Sequence, residues 1–169
     1  MCLHPNETPE MKFNSLAVAG HIAHICREND LTYNNTKIQK LLYCCYGCAL
    51  VELGGGRICD EYPRAWQFGP VFPRVFKFIH KGGDIISKYE HGKITGKPSE
   101  LIEEVVKTFG VYTAQSLSRW THAEGSPWDE VVNKLAEEPG AGLGDFIPDD
   151  LIADYFKKNV IEESSGDAA

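Results

Sequence analysis

The sequence predicts a mainly α fold, a single compact helical domain of about seven helices with a short β-hairpin. Three observations predict it. Apolar residues recur at three-to-four spacing in most long segments of the 169-residue chain, the period of one buried helical face. Asn, Ser and Thr stand before these segments and glycines after them, as helix caps do. Only Arg57 to Phe68, interrupted by Pro63 and carrying Ile58, Tyr62, Trp66 and Phe68, has a strand-like composition.

In chain order, Asn14 is expected to cap a first helix to about Glu28, burying Val18, Ile22, Ile25 and Cys26. The second runs from about Thr36 to the Gly54-Gly55-Gly56 breaker, with Ile38, Leu41, Leu42, Cys45, Cys48 and Ala49 as its stripe and the strongest core candidate. Gly47 inside it predicts a close backbone crossing. The hairpin follows, and Gly69-Pro70 is expected to turn the chain into a third helix over Pro73 to His80, with Val75, Phe76 and Ile79 inward. Asp84 to Pro98 reads as a loop with a strand at Ile85-Ile86. Ser99 is expected to cap a fourth helix to Gly110, and Thr113 a fifth to about Thr121. Ser126-Pro127-Trp128-Asp129 reads as a capping box opening a sixth helix with Val131, Val132 and Leu135 inward. Pro139 to Gly144 reads as flexible. The last helix starts at Pro148, with Asp149 and Asp150 in its first turn and Lys157 and Lys158 in its last, matching the helix dipole. Residues 1–13 and 161–169 are expected to be flexible flanks of a domain spanning 14–160.

Lys and Arg number 17 against 24 Asp and Glu, a net charge of −7. A field of that sign repels phosphate backbones and anionic headgroups, so neither nucleic acid nor membrane is an expected partner. No apolar run reaches the roughly 20 residues of a membrane helix, and the first residues lack a signal-peptide layout, which predicts a cytoplasmic chain. The six cysteines, three of them crowded at Cys44, Cys45 and Cys48, read as reduced, buried thiols.

Candidate chemistry is sparse. Cys45 and Cys48 with His21 and His24 have spacing for a metal, yet the same cysteines complete the apolar stripe, and packing is the preferred reading; no metal or other cofactor is expected. Cys59 with His80 or His122 could form a thiol–imidazole pair. His122 and Glu124 could be an acid/base pair. The preferred reading has them tie down a turn, Glu124 accepting helix N-terminal amides and His122 donating to a carbonyl. Aromatic residues crowd the stretch from Trp66 through Phe76 and Phe78. Most belong to the core, but Arg and aromatic neighbours also make protein-binding hot spots, with Trp66, Phe68, Pro70, Phe72 and Arg74 as candidate contacts.

Three motifs then occur in order: Thr36-Lys37-Ile38-Gln39-Lys40-Leu41-Leu42-Tyr43, Ala65-Trp66-Gln67-Phe68-Gly69-Pro70-Val71, and Leu117-Ser118 with Thr121-His122-Ala123-Glu124-Gly125-Ser126-Pro127-Trp128. Together they resemble the Panacea domain family of SocA-like antitoxins and phage-associated GepA-like proteins, over about Phe13 to Phe156.

The resemblance implies a helical, non-enzymatic antitoxin that neutralises a protein toxin encoded by a neighbouring gene through direct contact. It marks Lys37, Gln39, Lys40, Gly69, His122, Glu124, Pro127 and Trp128 as structural or functional motif positions. One member of the family works as an adaptor that delivers its toxin to the ClpXP protease, so the resemblance makes a ClpXP-type protease a second implied partner; two copies of the chain could also pair. The end of the chain, Ala168-Ala169, could be a degradation signal, though a plain disordered end is the preferred reading. Some relatives add a helix-turn-helix module, and the residues before Asn14 are too few to hold one. The alternative function is a metal- or thiol-dependent hydrolase using His122, Glu124 or a cysteine. An acidic scaffold is also expected to be steered toward basic partners.

Overall fold

The central helix of the computed structural model, which describes residues 13–162, is α2 (Asn35–Glu52), buried along every residue from Lys37 to Leu50. A helix buried all round must be surrounded by other elements, and α2 touches α1 (Ser15–Glu28), β2 (Gly69–Val71), α3 (Pro73–His80), α4 (Gly96–Phe109), α5 (Ala114–Thr121) and α7 (Asp149–Phe156). The predicted stripe was therefore too narrow. Lys37, Gln39 and Lys40 break the apolar pattern but are buried too. With α6 (Pro127–Asp129) there are seven α-helices among the described residues, plus the two-stranded antiparallel hairpin of β1 (Arg64–Trp66) and β2. The mainly α prediction with one hairpin holds.

The helix starts follow side-chain chemistry. Asn14 Oδ1 accepts from Leu16 N, Asn34 Oδ1 from Lys37 N, Thr113 Oγ1 from Ser116 N and Ser126 Oγ from Asp129 N. Each satisfies one of the amides a helix leaves unpaired at its N-terminus. Tyr46 Oη donates to Asp149 Oδ1 at 2.5 Å and Arg57 Nε to Asp149 Oδ2 at 2.8 Å, fixing the start of α7 against α2.

Several boundaries differ from expectation. The second strand is Gly69–Val71, not a segment before Phe68, and the reversal is Gln67-Phe68. Ala65 pairs with Pro70, where no proline N–H is required, because the Ala65 amide turns the other way to Asp145 O and its carbonyl accepts from Gly144 N. The stretch read as flexible, Pro139 to Gly144, is thus bonded to β1 at its end, and Gly140 and Gly142 both donate to Val132 O. Ile85–Lys88 is a 3-10 turn capped by Asp84, not a strand. Helix α4 begins at Gly96, ahead of Ser99. The sixth helix is one short α turn that widens into a π-type turn over Glu130–Lys134, leaving Leu135 exposed. A second π-type turn, Lys157–Ile161, follows α7.

Gly47 does mark a crossing, but with a ring rather than a backbone: a Cβ there would lie 2.5 Å from Phe156 Cδ2. Phe13, assigned to the N-terminal flank, pairs with Cys59 in a parallel bridge. The Ala168-Ala169 signal and the rest of both flanks, apart from Phe13, Ile161 and Glu162, lie outside the described residues.

Candidate functional site

Side chains from three helices grip alternate residues of the hairpin. Trp128 Nε1 of α6 donates to Trp66 O at 2.6 Å, Ser118 Oγ of α5 to Phe68 O at 2.7 Å, and Lys40 Nζ of α2 to Pro70 O at 2.8 Å, while Gln39 Oε1 accepts from Phe72 N at 2.8 Å. Residues 66, 68, 70 and 72 belong to one backbone run, so these bonds fix its position relative to α2, α5 and α6 together. Gln39 is itself oriented by its amide, whose Nε2 donates to Asn35 Oδ1. The carbonyl that β2 presents away from β1 and the amide of the next residue, Phe72, are thereby satisfied, and the sheet edge is closed against further strand pairing.

Gly69 lies at φ +116°, a conformation that favours glycine, and a Cβ there would meet Thr121 Oγ1 at 2.9 Å and Lys40 Nζ at 3.0 Å. The turn can sit on Lys40 and Thr121 because it carries no side chain. Lys40 is 2% exposed. Burial pulls its ammonium pKa down to about 8, with no carboxylate among the groups acting on it.

The five candidate contact residues divide. Phe68, at the hairpin tip, is 68% exposed although its carbonyl is held by Ser118. Trp66 is half-buried, edge-on to Phe76 at 5.0 Å, and Phe76 stacks on His80. Pro70 and Phe72 are buried, Phe72 beside Tyr46 in the core. Arg74 is tied to Asp60 at 2.6 Å and to Ser15 Oγ, with its amide donating to Glu61. Phe68 and Trp66 therefore face outward, whereas Phe72 serves the interior.

The motif around His122 works differently from the expected arrangement. Asp129, not Glu124, accepts the Gly125 amide at 3.0 Å and also binds Asn133 Nδ2, and these hydrogen bonds hold its carboxyl below the usual range. Glu124 is exposed on the rim of a cleft of ≈ 440 Å³ beside Pro127, Leu151 and Tyr155. His122 sits edge-on to Trp128 at 5.5 Å, its Nδ1 buried without a hydrogen-bond partner. Pro127 is buried at the first position of α6, where its missing amide costs nothing. Lys37 is buried in the first turn of α2.

The cysteines do not join a reactive arrangement. Cys59 Sγ contacts Glu61 O, whereas His80 stacks on Phe76 and His122 lies against Trp128. Burial pushes the Cys59 and Cys48 thiols up to about 12, and Cys44 and Cys45 well above the ordinary value. That is the reverse of an activated nucleophile. His21 and His24 both turn to Tyr89. No group of three His, Cys, Asp or Glu side chains among the described residues is placed to hold a metal ion, and no helix among them is long and apolar enough to cross a membrane.

Ser118 and Thr121 carry much of this geometry and enter the sequence reading only as part of the third motif, with no role of their own. Asp129 reads there as the far end of the capping box, which does not foretell its bonds to the Gly125 amide and to Asn133.

Comparison with known proteins bears on the same stretch. The family model described as "Antitoxin SocA-like, Panacea domain" matches residues 38–129, which include both partners of all four bonds to the hairpin backbone. The curated protein Antitoxin SocA of Caulobacter vibrioides (strain NA1000 / CB15N) is 33% identical over 157 aligned residues, covering 83% of this chain and 81% of that protein. No solved structure matches. The similarity supports an antitoxin role, and the chain belongs to the SocA-like antitoxin, Panacea domain family.

Proposed function

We propose that this chain neutralises a cognate protein toxin, encoded beside it, by binding the toxin directly and without catalysing a reaction. The observation that carries the reading is Phe68, 68% exposed on a hairpin whose backbone is bonded to three helices. A large aromatic on a pre-positioned turn loses little conformational freedom when it enters a partner's pocket, which is how a few residues come to dominate an interface. Trp66 and the Phe76–His80 stack supply the adjoining surface. Nanomolar affinity, about 12 kcal/mol, is within reach of an interface of standard size. The raised thiol pKa values and the engagement of His80 and His122 by aromatic rings favour this reading over a hydrolase.

Expression of the neighbouring reading frame alone should arrest growth, and co-expression of this chain should restore it. Phe68→Ala should weaken both rescue and binding. A harmless neighbour, or full rescue by a chain that does not bind it, refutes the reading. A further role as an adaptor to a ClpXP-type protease predicts a toxin half-life that shortens when this chain and the protease are both present. A toxin lifetime independent of this chain refutes that role.

A further inference from the structure

A cleft of ≈ 500 Å³ opens between α1, the segment after the 3-10 turn, and the start of α4. It lies apart from the hairpin and is within the usual size for binding a small group. Its walls carry Glu28, Glu100 and Glu103. Glu103 is held by Lys107 at 2.8 Å, while Glu28 and Glu100 are exposed and make no ion pair among the described residues. His24 stacks on Tyr89 at 4.0 Å with the rings 9° from parallel, giving one flat aromatic wall.

The second observation is His21. It lines the cleft, is only 8% exposed, and makes no side-chain hydrogen bond among the described residues. Burial first, then the neighbouring His24, shifts its imidazole toward the neutral form, against the opposing pull of Glu103. A neutral imidazole on the cleft wall offers one lone-pair nitrogen, free of any protein donor, to an N–H group that enters. The histidines and carboxylates do not converge as metal ligands do. Acceptors spread around a cleft with a flat aromatic wall suit an extended, planar cation with several N–H donors, which describes a guanidinium better than a metal ion or a compact ammonium.

We propose that this cleft receives an arginine side chain of the protein partner, its guanidinium lying between Glu28, Glu100 and His21 along the His24–Tyr89 wall. The inference rests on the reading of this chain as a protein-binding antitoxin. The net charge of −7 favours a basic partner over a free neutral ligand and steers it in.

The test has two arms. The full chain is titrated with acetyl-Gly-Arg-Gly-amide and with its citrulline counterpart, following the His21 and His24 ring signals by NMR. A saturable shift with the arginine peptide alone is expected, weakened about five-fold by Glu28→Gln with Glu100→Gln, as the loss of two exposed ion pairs predicts. No saturable shift, or an equal one with citrulline, overturns the proposal; so does equally tight occupancy by spermidine, which would make the source a free polyamine. In the second arm the same double variant is measured against the product of the neighbouring gene. Weakened binding supports the assignment. Unchanged binding together with a weakened Phe68→Ala variant overturns it and leaves the antitoxin reading intact, whereas absence of any binding by the unaltered chain refutes that reading itself.

Discussion

Lys40 Nζ donates to the carbonyl of Pro70 at 2.8 Å from a position 2% exposed to solvent, so the middle of β2 is joined to the N-terminal third of the central helix through a buried amine. The amine does not face a carboxylate bond partner. Its charge is held at the expense of lost hydration, which the lowered pKa records.

That arrangement predicts a pH signature. The folded-state pKa of Lys40, about 8, lies below the ordinary 10.5. Between these values the unfolded chain holds a proton that the folded chain has released, so this residue's contribution to stability rises as pH increases through that window. The stability difference between the unaltered chain and Lys40→Met should shift in favour of the unaltered chain by up to about 3 kcal/mol from pH 7 to pH 10.5, measured by urea unfolding. A constant difference would show that Lys40 keeps its ordinary basicity when buried.

The buried thiols act in the opposite sense, which is why the Lys40 effect must be read as a difference. Cys44, Cys45, Cys48 and Cys59 all have folded-state pKa values above the ordinary 9.0, so their contribution is fully present below pH 9 and is lost as the pH climbs toward and beyond 12. Total stability should fall steeply on the alkaline side of pH 9. Thiol reagents should leave these four cysteines unmodified in the native protein at pH 7.5 and label them in urea. Rapid native labelling of Cys59 would contradict its burial.

How much of this was legible in the sequence depended on whether the signal was local. Asn14, Thr113 and Ser126 cap the helices they precede because capping involves atoms two or three residues apart. The apolar period likewise located α2, though not its burial on every side, which elements as far along the chain as α5, α7 and the turn Lys157–Ile161 impose. Bonds such as Trp128 to Trp66, 62 residues apart, have no local signature; the motifs containing these residues marked their neighbourhoods but not their pairing. The boundary errors have a related cause. Gly69-Pro70 reads as a turn into the third helix, and only the outward turn of the Ala65 amide to Asp145 makes a proline acceptable in a strand there. Phe72 looked like its exposed neighbour Phe68 in composition, and its burial beside Tyr46 of α2 is a contact between distant parts of the chain with no local signature.

Gly47 supplies a packing test. A Cβ at this position would overlap the Phe156 ring at 2.5 Å from Cδ2 and 2.6 Å from Cε2, inside a helix with no room to shift. Alanine has the better helix propensity by about 1 kcal/mol, so propensity alone predicts stabilisation. Overpacking, typically about 1–3 kcal/mol, should exceed that gain. Gly47→Ala is therefore expected to lower the melting temperature, and Phe156→Leu in the same chain to recover part of the loss. A higher melting temperature for the single variant would mean that α7 yields easily.

Trp128→Phe isolates one bond of the grip. The change keeps an aromatic ring against His122 but removes the indole donor to Trp66 O. Trp66 O keeps its ladder partner across the turn, Gly69, so the loss is that of one hydrogen bond and should destabilise by about 0.5–1.5 kcal/mol. The loss should shrink in a chain already carrying Ser118→Ala, because Phe68 O, two residues along the same hairpin, has then lost its donor as well. Strict additivity in a double-mutant cycle would show that the hairpin is held at independent points and not as one unit.

The exposure of Phe68 and the burial of Phe72, with the proposed function, predict that binding and folding respond to different residues. Phe72 is fully buried beside Tyr46, and truncation to alanine should cost about 3–5 kcal/mol of stability. Phe68 is 68% exposed, so Phe68→Ala should leave stability within about 0.5 kcal/mol of the unaltered chain. Toxin affinity should respond in reverse. Phe68→Ala should bind at least about ten-fold more weakly, as expected for an interface anchor worth more than 1.4 kcal/mol. Phe72→Ala should keep near-normal affinity in whatever fraction remains folded, measured by titration calorimetry at a temperature where circular dichroism reports the native helix content. Equal losses of affinity for both, at matched folded fraction, would move the contact surface from the tip to the body of the hairpin.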